Sequence, residues 1–246
     1  MNYLPFYIPV VFILITFLTI YLFYRASNRN MKLLIIIAGW ITIQSAVAAT
    51  GFFTLSNTLP PRFVLLIVLP LAVIISVFST AKGRFFLDGF DIKTLTLLHT
   101  IRIGIELVLF WLFLNKTMPR LMTFEGRNFD LISGITATLV YYFGFVRRKL
   151  GAKTMLVWNL VCLFILLFTV ANAVLSAPTP LQQFGFDQPT IAVLYFPFVW
   201  LPGVVVPLVI FSHLISIRLL IKEIKQKNIS SSLIRSNLPN RVDYAQ

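Results

Sequence analysis

The chain has 246 residues, of which 58% are hydrophobic and only 12% charged, with a formal net charge of +13. That is about half the roughly 25% charged content of soluble domains, which excludes a soluble fold with a solvated surface. The basic excess does not mark a nucleic-acid protein either, because Lys and Arg lie in short segments between apolar runs and do not interleave with aromatics on a soluble domain.

The apolar runs are about 18–25 residues long, enough to cross a hydrocarbon core of about 30 Å as helices. A chain in lipid must satisfy its backbone polar groups within each segment, so helices are predicted. The alternating ten-residue strands of a barrel are absent from the sequence. The expected fold is all-α, a polytopic membrane protein with a bundle of seven transmembrane helices in one domain, 1–217. The expected spans are about 4–24, 33–55, 63–80, 94–115, 129–147, 154–175 and 191–217, followed by a basic, partly disordered tail over 218–246.

The first run has no positive residue before it, and Arg25, Arg29 and Lys32 follow it. A cleavable signal has the reverse order, so an uncleaved first helix is expected. The second run carries Gln44 as its polar candidate. The third contains FVLLIVLPLAVI (63–74), which resembles FVWLPGVVVPLVI (198–210) in the last run. That likeness suggests a parallel repeat of spans 1–3 and 5–7 about a connecting fourth.

The fourth run, LLHTIRIGIELVLFWLFL, places His99, Arg102 and Glu106 at i, i+3 and i+7. At about 100° per residue they share a sector of roughly 60°. Three ionisable groups on one stripe cannot face lipid, so they must face the interior or a wet cavity. One reading is structural: Arg102 pairs with Glu106 at i+4, and His99 bonds a neighbouring helix. The other is a ligand, ion or proton site.

MTFEGRNFD (122–130) concentrates charge in a chain with only eight acidic residues. Asn128 suits the N-cap of the fifth helix, Asp130 its first turn, and Gly126 the tight turn before it. Glu125 and Arg127 have no such local role. They form either a solvated pair or part of an outer lid in which Met122, Phe124 and Phe129 turn inward. The fifth helix lines up Asp130, Gly134, Ala137, Tyr141 and Gly144 on one face, and its small residues permit close helix approach.

The sixth run sets Thr169, Asn172 and Ser176 at i, i+3 and i+7, with Asn159 some turns earlier. Interhelical hydrogen bonds are the plainer role for these groups. Cys162, the single cysteine, cannot form an intrachain disulfide and reads as a small buried side chain. The seventh run contains Pro197, Pro202, Gly203 and Pro207. Each proline removes a backbone donor, which suggests a kinked helix of the kind found at transport sites. His213 lies at a depth similar to His99. Separate hydrogen-bonded histidines are expected, with no metal and no cofactor, since neither an HExxH motif nor a third histidine is present.

Sixteen basic residues flank the runs on one side, including six in the tail, and four lie on the other. The positive-inside rule then puts the N-terminus outside and the C-terminus in the cytoplasm, as in a multi-pass protein of a bacterial inner (plasma) membrane. The expected partners are the lipid bilayer, with anionic lipids at the cytoplasmic face, and a small-molecule or ion ligand; nucleic acid is not expected. The layout is similar to that of small three-plus-one-plus-three sugar transporters, in arrangement alone. A retinal protein would need a lysine in the last span, and 191–217 has none.

The expected function is translocation or sensing of a small solute or protons through a buried polar site. His99, Arg102, Glu106, Glu125, Arg127, Tyr141, Asn172 and His213 are its candidates. The alternatives are an intramembrane enzyme on a lipid-like substrate, with Glu106 or Glu125 as acid or base, and an accessory subunit without a site of its own.

Overall fold

A computed structural model describes residues 4–55 and 61–236 of the chain. Within these residues the protein is helical, without strands. The α-helices are α1 (Tyr7–Ala26), α2 (Met31–Ala49), α3 (Leu65–Ser79), α4 (Ala81–Leu87), α5 (Ile92–Leu98), α6 (Ile101–Leu114), α7 (Asp130–Tyr141), α8 (Ala152–Leu175) and α9 (Val206–Ser236). π-Helical turns at Tyr142–Val146 and Leu201–Val205 extend α7 and precede α9.

Six helical stretches are long and apolar enough to cross a membrane: Tyr7–Ala26, Met31–Ala49, Arg62–Ser79, Ile92–Leu114, Ala152–Leu175 and Leu201–Ser230. Asp130–Val146 is apolar but shorter. The core joins Phe12, Phe23, Leu98 and Ile215, all essentially inaccessible, while Leu14, Phe17, Ile36, Val73, Ile75 and Phe164 point outward. Such an apolar exterior is compatible with a membrane surrounding.

Three departures from the expected spans have local causes. The fourth run is broken in two. At His99 and Thr100 the chain tightens to i→i+3 bonds, including Arg102 N–H to the His99 carbonyl at 3.3 Å. Thr100 Oγ1 donates back to the Leu97 carbonyl at 2.8 Å, and such back-bonding bends helices. The last helical span begins late: 191–199 forms turns and a short 3-10 segment (Ala192–Leu194). Pro197 supplies no N–H there and disfavours helix at the residue before it. Conversely α9 runs on as helix through Ser230–Ser232, where the sequence suggested disorder. The tail beyond Ser236 and the 56–60 part of the Leu-Ser-Asn-Thr-Leu-Pro-Pro loop lie outside the described residues.

The Leu201–Val205 turn is held by α2. An α-helix would direct the N–H of residue 207 at the Gly203 carbonyl, but residue 207 is proline. Trp40 Nε1 donates to that oxygen at 2.9 Å and Gln44 Nε2 at 3.2 Å. A Cβ at Gly203 would run into the buried Gln44 amide, which would have to shift. Between α6 and α7, a Cβ on Gly134 would sit 2.9 Å from Ile103 Cγ1. That close approach brings the polar faces of the two helices together.

Candidate functional site

The polar interior is organised about Asn128. Its Nδ2 donates to Glu106 Oε1 at 2.5 Å and to the Met122 carbonyl at 3.1 Å. Its Oδ1 accepts from Thr169 Oγ1 and from the Asp130 backbone N–H, each at 3.1 Å. All four hydrogen-bonding positions of the amide are used, and they tie together α6, the preceding loop, α7 and α8. The expected N-cap falls one residue later, on Phe129, which makes no side-chain cap bond, and Asn128 accepts the Asp130 N–H from the position before it.

The expected Arg102–Glu106 pair does not form. Arg102 Nη2 instead lies 3.6 Å from Asp130 Oδ1 on α7, and the two side chains are 3% and 10% exposed. The tightened turn at His99–Thr100 and the Gly134 contact bring the arginine to the neighbouring helix. Among the described residues, Glu106 Oε2, Asp130 Oδ1 and the three guanidinium nitrogens of Arg102 are buried without a hydrogen-bond partner. Asp130, read from sequence as a dipole partner, is therefore also an ion-pair member.

A cavity of about 80 Å³ adjoins this cluster. Glu106, Asp130, Thr169 and Thr190 supply its polar lining, and Phe63, Met118, Leu166 and Pro202 are among its apolar walls. Carboxylates from α6 and α7 thus meet the proline-interrupted turn before α9 across one small space.

The two histidines are not separate. His99 and His213 stack face to face, with centroids 3.8 Å apart and planes at 15°, and both are fully buried. Trp158 stands against them, its ring centroid 5.7 Å from His99 and 6.0 Å from His213. His213 Nδ1 shares a hydrogen bond of 2.9 Å with Asn159 Oδ1, and Asn159 Nδ2 donates to the Met155 carbonyl at 2.9 Å. Ring-nitrogen lone pairs lie in the ring planes, so two stacked imidazoles direct them side by side rather than at one shared ion.

The remaining candidates fall in three places. Asn172 is buried on α8 on the side that carries Thr169. Tyr141 stands at the far end of α7, its ring 5.5 Å from the Lys93 ammonium. Glu125 and Arg127 are on the outside. Glu125 is 41% exposed and lies 3.6 Å from Arg120; the Arg127 guanidinium lies over the Phe184 ring at 5.7 Å. Of the expected lid only Met122 turns inward, while Phe124 and Phe129 stay 43% and 48% exposed. Phe124 faces Phe110 at 4.9 Å instead, a contact made on the outer face of α6.

Sequence reasoning undervalued Asn128, Asp130 and Trp158. The signal was present for the first two, as polar residues opening a short apolar run. For Trp158 there was none, because an interior aromatic reads as core packing.

The sequence pattern of the family described as Domain of unknown function (DUF8737) matches residues 59–221, and the chain belongs to that family. His99, Arg102, Glu106, Asn128, Asp130, Asn159 and His213 all fall inside the match, whereas α1 and α2 precede it. No curated protein and no solved structure matches the chain.

Proposed function

We propose that this member of the DUF8737 family is a multi-pass protein of a bacterial inner membrane that translocates or senses a small solute, with uptake of a proton or small cation at Glu106. Counting Asp130–Val146 gives seven spans. At 17 residues that helix matches the lower limit of about 17 for a crossing. The sixteen-to-four distribution of basic residues then supports an outside N-terminus and a cytoplasmic C-terminus.

The observation that carries the reading is the charge inventory of the cluster. One guanidinium, Arg102, faces two carboxylates, Asp130 and Glu106, in a buried setting. An uncompensated buried charge is costly. A proton or a cation at Glu106 balances the set, and Glu106 Oε2 is unengaged on the cavity wall. The mostly apolar cavity beside it suits a small solute with few polar groups. Pro202 and Pro207 offer no backbone N–H to their helix, which supports this segment as the moving part. The enzymatic alternative loses one of its two acids, since Glu125 lies outside.

The test is reconstitution in liposomes with a pH-sensitive dye inside, with and without candidate solutes. Glu106→Gln should abolish proton movement coupled to the solute while the protein stays folded. Unchanged coupled flux in that variant would overturn the reading.

A further inference from the structure

A second site lies at the bundle end where α1 gives way to α2. A cleft of about 440 Å³ opens there, and three cations from three elements line it: Arg25, Arg29 and Lys93. Arg25 is in the last turn of α1, Arg29 in the α1–α2 turn and Lys93 in the first turn of α5. Among the described residues none of the three is ion-paired with a carboxylate. The lining does include Asp91, but that carboxylate is already engaged. It accepts from Lys93 N–H at 3.2 Å, Thr94 N–H at 3.1 Å and Thr94 Oγ1 at 2.5 Å, capping α5. The cleft is thus a convergence of positive charge that its own carboxylate does not satisfy.

The turn that presents Arg29 is held in an unusual conformation. Asn28 and Arg29 both have left-handed backbones, at φ 56° and 60°. Asparagine tolerates this region and arginine rarely visits it. The turn is clamped by Asn28 Nδ2 donating to the Gly89 carbonyl at 2.6 Å and by Asp91 N–H donating to the Ala26 carbonyl at 2.8 Å. Strain held by its surroundings is a recurring feature of ligand clamps. Tyr141, its ring 5.5 Å from the Lys93 ammonium, also lines the cleft, and Leu97 contributes an apolar patch.

We propose that this cleft binds a phosphate group, clamped by Arg25, Arg29 and Lys93. Guanidinium forks match phosphate oxygens in pairs, and lysine adds a point charge. The volume lies within the range of ligand pockets, about 300–1,000 Å³. A phospholipid headgroup and a soluble phosphate ester share this chemistry. The position at the ends of three apolar helices puts the cleft at headgroup level.

The experiment uses the full chain, purified and delipidated in a neutral maltoside. Thermal unfolding and native mass spectrometry are followed with short-chain phosphatidylglycerol, with phosphatidylcholine of equal chain length, and with glycerol phosphate. The expected result is saturable binding of an anionic phosphate probe. It should weaken at least tenfold in Arg25→Gln/Arg29→Gln/Lys93→Gln. Leu97→Trp, which fills the cleft and keeps every charge, should weaken it comparably. Lys222→Gln/Lys225→Gln/Lys227→Gln, which removes equal charge from α9, should not. Binding of phosphatidylglycerol alone identifies a lipid headgroup as occupant, and equal binding of glycerol phosphate identifies a soluble ester. Absence of saturable binding of any probe, equal loss in the α9 variant, or full binding in the Leu97→Trp protein overturns the proposal.

Discussion

Arg102 reaches Asp130 on the neighbouring helix, 3.6 Å away, and leaves Glu106, one turn along its own helix, to Asn128. The two carboxylates of the interior therefore have different partners, one ionic and one neutral. Removing Arg102 alone strands a buried carboxylate. Arg102→Met should destabilise the protein by about 3–5 kcal/mol. The double variant Arg102→Met/Asp130→Asn should recover much of that loss. Denaturant unfolding in micelles measures both. A larger coupling of Arg102 to Glu106 than to Asp130 would contradict the pairing.

Asn128 offers a charge swap. Asn128→Ala leaves Glu106 Oε1, Thr169 and the Met122 carbonyl without their partner, and should cost on the order of 1–3 kcal/mol. Asn128→Asp should be worse, because it faces Glu106 with a second carboxylate. Adding Glu106→Gln to Asn128→Asp restores one amide and one carboxylate in contact, and thermal stability should return most of the way.

Gly203 tests the brace between α2 and the turn before α9. Gly203→Ala drives a methyl into the Gln44 amide, and overpacking of this kind costs about 1–3 kcal/mol. Gln44→Ala should partly rescue it. Trp40→Phe keeps the ring but removes the indole N–H, with an expected loss of about 1 kcal/mol. All are read as midpoint shifts in thermal unfolding.

The Arg120–Glu125 pair is the contrasting case. Both side chains are largely exposed, at 67% and 41%, and exposed pairs contribute about 0–1 kcal/mol. Glu125→Gln should leave stability and any Glu106-dependent flux unchanged within error. A strong loss of flux would put the outer loop into the site.

Asp88 supplies a pH dependence at the α4–α5 turn. The Arg218 hydrogen bond, helped by Lys222, holds its carboxyl below the ordinary value of 3.8. Arg218 Nε lies 2.9 Å from Oδ1 and Lys222 Nζ 3.1 Å from Oδ2. The folded state binds this proton less readily than the unfolded one. The stabilisation is therefore complete above the unfolded value and is lost as pH falls below it through the lowered folded value. Asp88→Asn should flatten the acid limb of stability against pH below about 4 and leave the neutral range with a small constant loss. An unaltered acid limb would show that the pair does not persist in solution.

The sequence by itself determined the helical class and the apolar runs that can cross a membrane. Hydropathy is a local property, and a chain in lipid has few ways to satisfy its backbone. It also determined that His99, Arg102 and Glu106 must turn inward, because charge facing hydrocarbon is too costly. Tertiary structure decided the partners. Helical periodicity fixes a direction around one axis and says nothing of which neighbour stands there. Only the packed helices set Asp130 before Arg102, gathered four bonds on Asn128, and stacked His99 on His213 from helices more than a hundred residues apart. They also turned Glu125 outward. A loop residue's direction follows from what its loop packs against, and that contact is absent from any local pattern.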